Sequence, residues 1–208
     1  MAANIDAYAV PAASHETCGQ GKVIIISGPS GCGKTTLVRR LLERHPEYRR
    51  SVSVTTRPRR PGEVQDSDYR FVSPPEFDRL LENGELLEWS EHFGNRYGTP
   101  RAPVESALAA GAVIILEIDV NGAAQVKAQM PHAYAIFVRA PSQEALAARL
   151  RARGTEAEPR IRERLARAEM EMAHRYLFDR EVVNDDLDRA VGELEQLVAE
   201  ARRKNAEH

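Results

Sequence analysis

The chain has 208 residues, 42% hydrophobic and 29% charged, the composition of an ordinary soluble globular protein with room for one good-sized core. A formal net charge of −2 supplies no overall basic field, which argues against nucleic acid as a partner, and the longest apolar runs, Val23–Ile26 and Ala112–Leu116, are far too short to span a bilayer. Two cysteines, Cys18 and Cys32, and six histidines without metal spacing point to neither a disulfide framework nor a metal centre, and fit a reducing cytoplasm.

Residues 1–20 are Ala-rich and lack periodicity, so they read as a disordered leader, with no secretory signal in them. "KVIIISG" is then a short, unbroken β-branched run ended by glycine, the pattern of a buried parallel strand. "GPSGCGKTT" follows, with Gly28, Gly33, Lys34 and Thr35 satisfying G-x-x-x-x-G-K-[ST]. A helical pattern over Thr35–His45 comes next, with Leu37, Leu41 and Leu42 on one side. Strand, glycine loop and helix in that order hold a polyphosphate. The glycines of Gly28, Pro29, Ser30, Gly31, Cys32 and Gly33 let backbone N–H groups turn inward, and the helix N-terminus favours negative charge. In such a loop Lys34 reaches the β- and γ-phosphates, and the hydroxyl of Thr35, next to Thr36, ligates Mg²⁺.

The segment Ser51–Thr99 breaks the strand–helix alternation. "SVSVTT" alternates and "DYRFVS" reads as a strand. "SPPEF" opens a helix, with Ser73 as cap, Pro74 as first residue and Glu76 closing a capping box. Arg57, Arg59 and Arg60 crowd four positions beside two prolines. That cluster is either a solvated basic turn or a rigid loop aiming guanidinium forks at one phosphate monoester.

Alternation resumes with "GAVIILEID" (Gly111–Asp119) and "AYAIFVRA" (Ala133–Ala140), both strand-like. Glu117 and Asp119 end the first of these and share a face. The stretch Ser142–Tyr176 is helical and broken near "RGTEAEP", the pattern of a mobile lid as well as of an ordinary helix–loop–helix. "EVVND" is a shorter strand candidate, and Leu187, Ala190, Val191, Leu194, Leu197 and Val198 form the apolar stripe of a final helix. Strands alternating with helices give an α/β fold on a parallel sheet.

Taken together, "SVTTR…RPGE", "DYRFVS", "LLEW", "FGNRYGT", "EIDVNG", "RGTE" and "VNDDLD" resemble, in order, the motifs of guanylate kinases, from Lys22 to Lys204. The resemblance implies the reaction ATP + GMP ⇌ ADP + GDP. It also implies a three-layer P-loop core with a parallel sheet (21–50, 100–141 and 177–208), an inserted mixed α+β GMP-binding lobe (51–99) and a helical lid (142–176). By that resemblance Arg57, Arg60, Tyr69 and Tyr97 match the GMP-phosphate clamp, and Ser53, Glu88, Thr99 and Asp119 match the guanine-recognition set. Arg153 and Arg164 match lid arginines that act in catalysis with Lys34 and Arg60, Arg149 is a weaker lid candidate, and Asn184 matches a position near the ATP adenine. Two departures stand out: Arg59 replaces the family's usual proline, and Asn121 stands where glutamine is commoner. The implied partners are ATP and GMP, with Mg²⁺ carried by ATP, in a monomer or a homodimer.

The residues make chemical sense in those roles. Guanine offers adjacent N1–H and N2–H₂ donors, and a carboxylate such as Glu88 accepts both. Adenine would face the same carboxylate with an acceptor, a mismatch that can reject it by about 10⁴. Glu117 is open to two readings, orienting a clamp arginine or holding a metal-bound water. No general base is needed, because the phosphate of a nucleoside monophosphate, with a second pKa of about 6, is already dianionic near neutrality.

Overall fold

The computed structural model describes residues 21–92, 94–152 and 157–205. The expected leader, including Cys18, lies outside these residues, as does Arg153. In chain order the first elements are β1 (Lys22–Ser27), α1 (Lys34–Arg44), β2 (Arg49–Arg50), β3 (Val54–Thr55), β4 (Arg70–Phe71), α2 (Pro74–Glu82), β5 (Leu86–His92), β6 (Asn95–Pro100) and α3 (Arg101–Ala109). They are followed by β7 (Val113–Glu117), α4 (Val120–Gln129), β8 (Tyr134–Arg139), α5 (Gln143–Ala152), α6 (Glu158–Ala173), a 3₁₀ turn (Arg175–Leu177), β9 (Arg180–Val183) and α7 (Leu187–Asn205).

Five strands form one all-parallel sheet in the order β2-β7-β1-β8-β9. The central strand β1 is buried on both faces, as its unbroken apolar run requires. Alternation sends Ile24 and Ile26 into a core with Leu37 and Leu41 of α1 and Val191, Leu194 and Val198 of α7. Val23 and Ile25 face a second core with Val104 and Ala107 of α3 and Ala123 and Val126 of α4. The result is three layers, helix–sheet–helix. Helices α5 and α6 join the first core through Leu146, Leu150, Ile161 and Ala168. The carboxyl ends of β1 and β7 lie side by side, with Ile26 paired to Glu117. A crevice at that end is where open α/β sheets hold their ligands.

The segment between β2 and α3 builds a second, mixed sheet in the order β4-β3-β6-β5. β3 pairs in parallel with β4 and antiparallel with β6, and β5 and β6 form an antiparallel hairpin. Its own small core is Val54, Phe77, Leu80 and Leu86, backed by Val72 and Leu81. The alternation in "SVSVTT" yields only the two-residue β3, because the chain leaves the sheet at the arginine-rich turn. Register sets Glu88 opposite Thr99 and Ser90 opposite Tyr97, so Glu88, Ser90 and His92 share one face of β5 with Tyr97 and Thr99 of β6.

The start of α2 departs from the expected capping box. Ser73 accepts from the Glu76 N–H at 3.3 Å, and Pro74 begins the helix. The Glu76 carboxylate does not reach back to the cap; it accepts from Arg70 at 2.9 Å, a charged donor that outcompetes a backbone N–H.

Candidate active site

Gly33 precedes α1 with a φ of 100° and offers no side-chain cap, which leaves the first amides of the helix open to an anion. A Cβ at Gly33 would also lie 2.3 Å from the Asn184 amide. Lys34 folds back over the loop, donating to the carbonyls of Gly28 at 2.6 Å and Pro29 at 3.0 Å. Thr35 donates to Glu117 at 2.5 Å, and the other Glu117 oxygen lies 3.7 Å from Arg50. One hydroxyl and one carboxylate, both hard oxygen groups beside a phosphate cradle, are the donor set that suits Mg²⁺ arriving on a nucleotide.

Beneath the loop, Asn184 donates to the Cys32 carbonyl at 2.7 Å, and Arg149 spans the Cys32 and Asn184 carbonyls at 3.2 and 2.7 Å. Both side chains are therefore committed to loop backbone. Burial pushes the Cys32 thiol up, against the opposing charge of Lys34, so it stays protonated and unreactive.

The far side of the cleft is built on the shared face of β5 and β6. Glu88 is 4% exposed and accepts from the Thr99 hydroxyl at 2.6 Å. Burial pushes its carboxyl up to about 7; the Thr99 hydrogen bond opposes the shift and the charge of Asp119 adds to it. The neighbouring Trp89 points outward and is 41% exposed, so the acid is inside and the indole outside, the reverse of ordinary burial preferences. Asp119 caps α4, accepting from the Gly122 N–H at 2.7 Å, and contacts His92. Burial works to raise the Asp119 pKa, but His92, the Gly122 amide and the charge of Arg167 together hold it below the usual carboxylate range. Gly122 packs against Glu88 so closely that a Cβ would sit 2.3 Å from its Oε2.

Tyr69 and Tyr97 meet edge to face at 6.0 Å, and Arg57 lies over the Tyr69 ring at 5.4 Å. Burial pushes the Tyr69 phenol up to about 12, so it remains a hydrogen-bond donor. The Arg57 fork is taken bidentately by Glu63, at 2.7 and 3.0 Å, and the same carboxylate accepts from the Arg60 N–H at 2.7 Å. Glu63 thus sets the backbone of the arginine turn. Arg59 and Arg60 are both exposed, but only Arg60 lines the cleft.

One cleft of about 380 Å³ runs from the glycine loop to Glu88. Of the residues singled out in the sequence, Gly28, Ser30, Gly31, Gly33, Lys34, Thr35, Thr36, Ser53, Arg57, Arg60, Tyr69, Glu88, Tyr97, Glu117, Asp119 and Arg164 line it. Arg164, on α6, donates to the Ser30 hydroxyl at 2.8 Å. Pro29, Cys32, Thr99 and Asn184 do not line it. Thr99 donates to Glu88, which does line it, and Asn184 donates to the loop at the Cys32 carbonyl. Sequence reasoning missed Arg50, Glu63, Ser90, His92, Arg167 and Glu171, which also face the cleft. Strand alternation from Glu88 would have found Ser90 and His92, and helical spacing from Arg164 would have found Arg167 and Glu171. Arg50 carries no such signal.

The cleft can therefore hold a polyphosphate on amides at one end and a hydrogen-bonding base on the buried Glu88 and its neighbour Asp119 at the other, with cations between them. Comparison with known proteins agrees. The family model for guanylate kinase matches residues 20–201. A guanylate kinase of Gloeobacter violaceus is 52% identical over 179 residues, covering 86% of this chain and 87% of its own. One from Thermobifida fusca is 51% identical over 178 residues, covering 86% and 91%. The crystal structure of guanylate kinase from Anaplasma phagocytophilum is similar with a TM-score of 0.74 and 34% identity, covering 88% of this chain and 87% of that one.

Proposed function

The chain belongs to the guanylate kinase family, and from that premise we propose that its cleft transfers the terminal phosphoryl group of ATP to GMP, and less well to dGMP, giving GDP or dGDP. The observation that carries this reading is the buried Glu88 beside the partly buried Asp119, across one cleft from the glycine loop. Glu88, oriented by Thr99, accepts the N1–H and N2–H₂ of guanine once ionised, and the hydroxyl of Ser53 donates to the base's acceptor edge. Tyr69, Tyr97, Arg57 and Arg60 hold the GMP phosphate. Glu63 limits where the Arg57 fork can point, which fixes the line of attack.

The triphosphate rests on the amides at the start of α1. Lys34 exchanges its two carbonyl contacts for the β- and γ-phosphates, a trade that a phosphate's charge makes favourable. Mg²⁺ bound to the nucleotide would be held by the Thr35 hydroxyl with Glu117 alongside, and it supplies neutralisation of the phosphate charge. Arg164, next to Ser30 on the loop, adds positive charge where the transferring group is most anionic. The GMP phosphate needs no base, being mostly dianionic at neutral pH.

A coupled assay for ADP release tests the proposal: ATP–Mg²⁺ with GMP turns over, ATP–Mg²⁺ alone scarcely does, and Lys34→Ala nearly abolishes turnover without loss of folding. No GMP-dependent turnover in pure, folded protein would overturn it.

A further inference from the structure

Helix α6 touches both ends of the cleft. Arg164 reaches Ser30 on the glycine loop. Three residues on, Arg167 extends to the base-binding end, with Nη2 at 3.5 Å from Asp119 Oδ2 and 3.1 Å from His92 Nε2. Glu171, one further turn along, accepts from Arg167 Nε at 2.9 Å and fixes the direction of the fork. The helix is anchored by buried Ile161 and Ala168, so its two arginines move as a unit.

His92 Nε2 also contacts Asp119. The arrangement that satisfies this carboxylate is an Nε2–H donating to it, which leaves Arg167 to interact with the Asp119 charge directly. The pair is half-buried, so solvent and salt screen it incompletely. Charged groups near Arg167 include Asp119, Glu171 and, through Asp119, Glu88, with His92 among them and Glu91 and Glu163 lining an adjoining pocket.

We propose that Arg167, braced by Glu171 and docked on Asp119 beside His92, is a positioning residue that ties the glycine-loop side of the cleft to its base-binding side, so that GMP and ATP bind cooperatively. This rests on the function proposed above. The physical route is short. A purine that donates to Glu88 stabilises its ionised form and so adds negative charge beside Asp119. That charge strengthens the hold on Arg167 and so keeps α6 docked on the cleft, with Arg164 on Ser30 of the loop. Linkage makes the effect reciprocal: a triphosphate that holds α6 in place favours the ionised carboxylates and hence guanine.

Calorimetric binding of the non-hydrolysable analogue adenylyl imidodiphosphate with Mg²⁺, with and without saturating GMP, tests this. In the wild-type protein GMP tightens the analogue at least about fivefold, the low end of measured couplings. In Arg167→Gln the tightening falls below about twofold, while GMP alone binds within about threefold of wild type. Should Arg167→Gln melt well below wild type, Glu171→Ala, which keeps the guanidinium but removes the acceptor that braces it, takes its place and should also lose coupling. Wild-type coupling in a folded variant, or no coupling in the wild-type protein, overturns the proposal. Absence of GMP phosphorylation altogether would instead overturn the function on which it rests.

Discussion

Glu88 and Gly122 are in contact so close that a single methyl group separates a working pocket from a displaced carboxylate. Gly122 has no need of a left-handed backbone; what its position forbids is volume, because a Cβ would come within 2.3 Å of Glu88 Oε2. Gly122→Ala should lower kcat/KM for GMP on the order of 10²-fold, with KM for ATP within about twofold of wild type, as steady-state rates would read. Equal damage to both substrates would mean that the helix cap had failed rather than the pocket.

The same carboxylate predicts a pH dependence. Its folded pKa is raised to about 7 by burial, above the ordinary 4.5. Glu88 therefore contributes stability that is complete below about 4.5 and is lost as pH rises through about 7, to the extent of about 3 kcal/mol. Guanine needs the ionised form, so kcat/KM for GMP should rise as pH rises through about 7. The substrate phosphate also ionises, near a pKa of about 6. The ratio of wild type to Glu88→Gln cancels that term and isolates the side chain. The ratio should climb by about tenfold per unit below pH 7 and level off above it; a flat ratio would contradict the placement of this charge.

Among the elements, the glycine loop and α1 were fully legible, because G-x-x-x-x-G-K-[ST] after a β-branched run specifies strand, loop and helix together. The second sheet was much less so. Its alternation is short, its strands β3 and β4 are two residues each, and a bulge shifts the register between Leu86 and Glu88. The hairpin of β5 and β6 orders the pocket, yet "LLEWSEH" breaks simple alternation by burying Leu86, Leu87 and Glu88 in succession. A side chain near a nucleotide site can serve the loop that holds the nucleotide. Asn184→Ala leaves the buried Cys32 carbonyl without one of its two side-chain donors. It should cost about 1–3 kcal/mol of stability and raise KM for ATP more than KM for GMP. A denaturation curve and steady-state rates would check both; unchanged stability would show that Arg149 alone suffices.

At the scale of the molecule, the parallel sheet supplies a rigid floor and the insertion between β2 and α3 brings a second set of side chains to its carboxyl edge. Sequence alone identified both halves of the cleft, since each carries its own motif. It did not reveal the contact of Arg167 near Asp119, because an ion pair between distant segments leaves no local pattern. Among the described residues no helix is long and apolar enough to cross a membrane, in keeping with the short apolar runs. The account as a whole depends on the base-binding end choosing the acceptor of the phosphoryl group. The most direct test is the ratio of kcat/KM for GMP to that for AMP with ATP–Mg²⁺ as donor. A buried Glu88 facing the base predicts a ratio of at least about a hundred, whereas comparable values for the two nucleotides would contradict it.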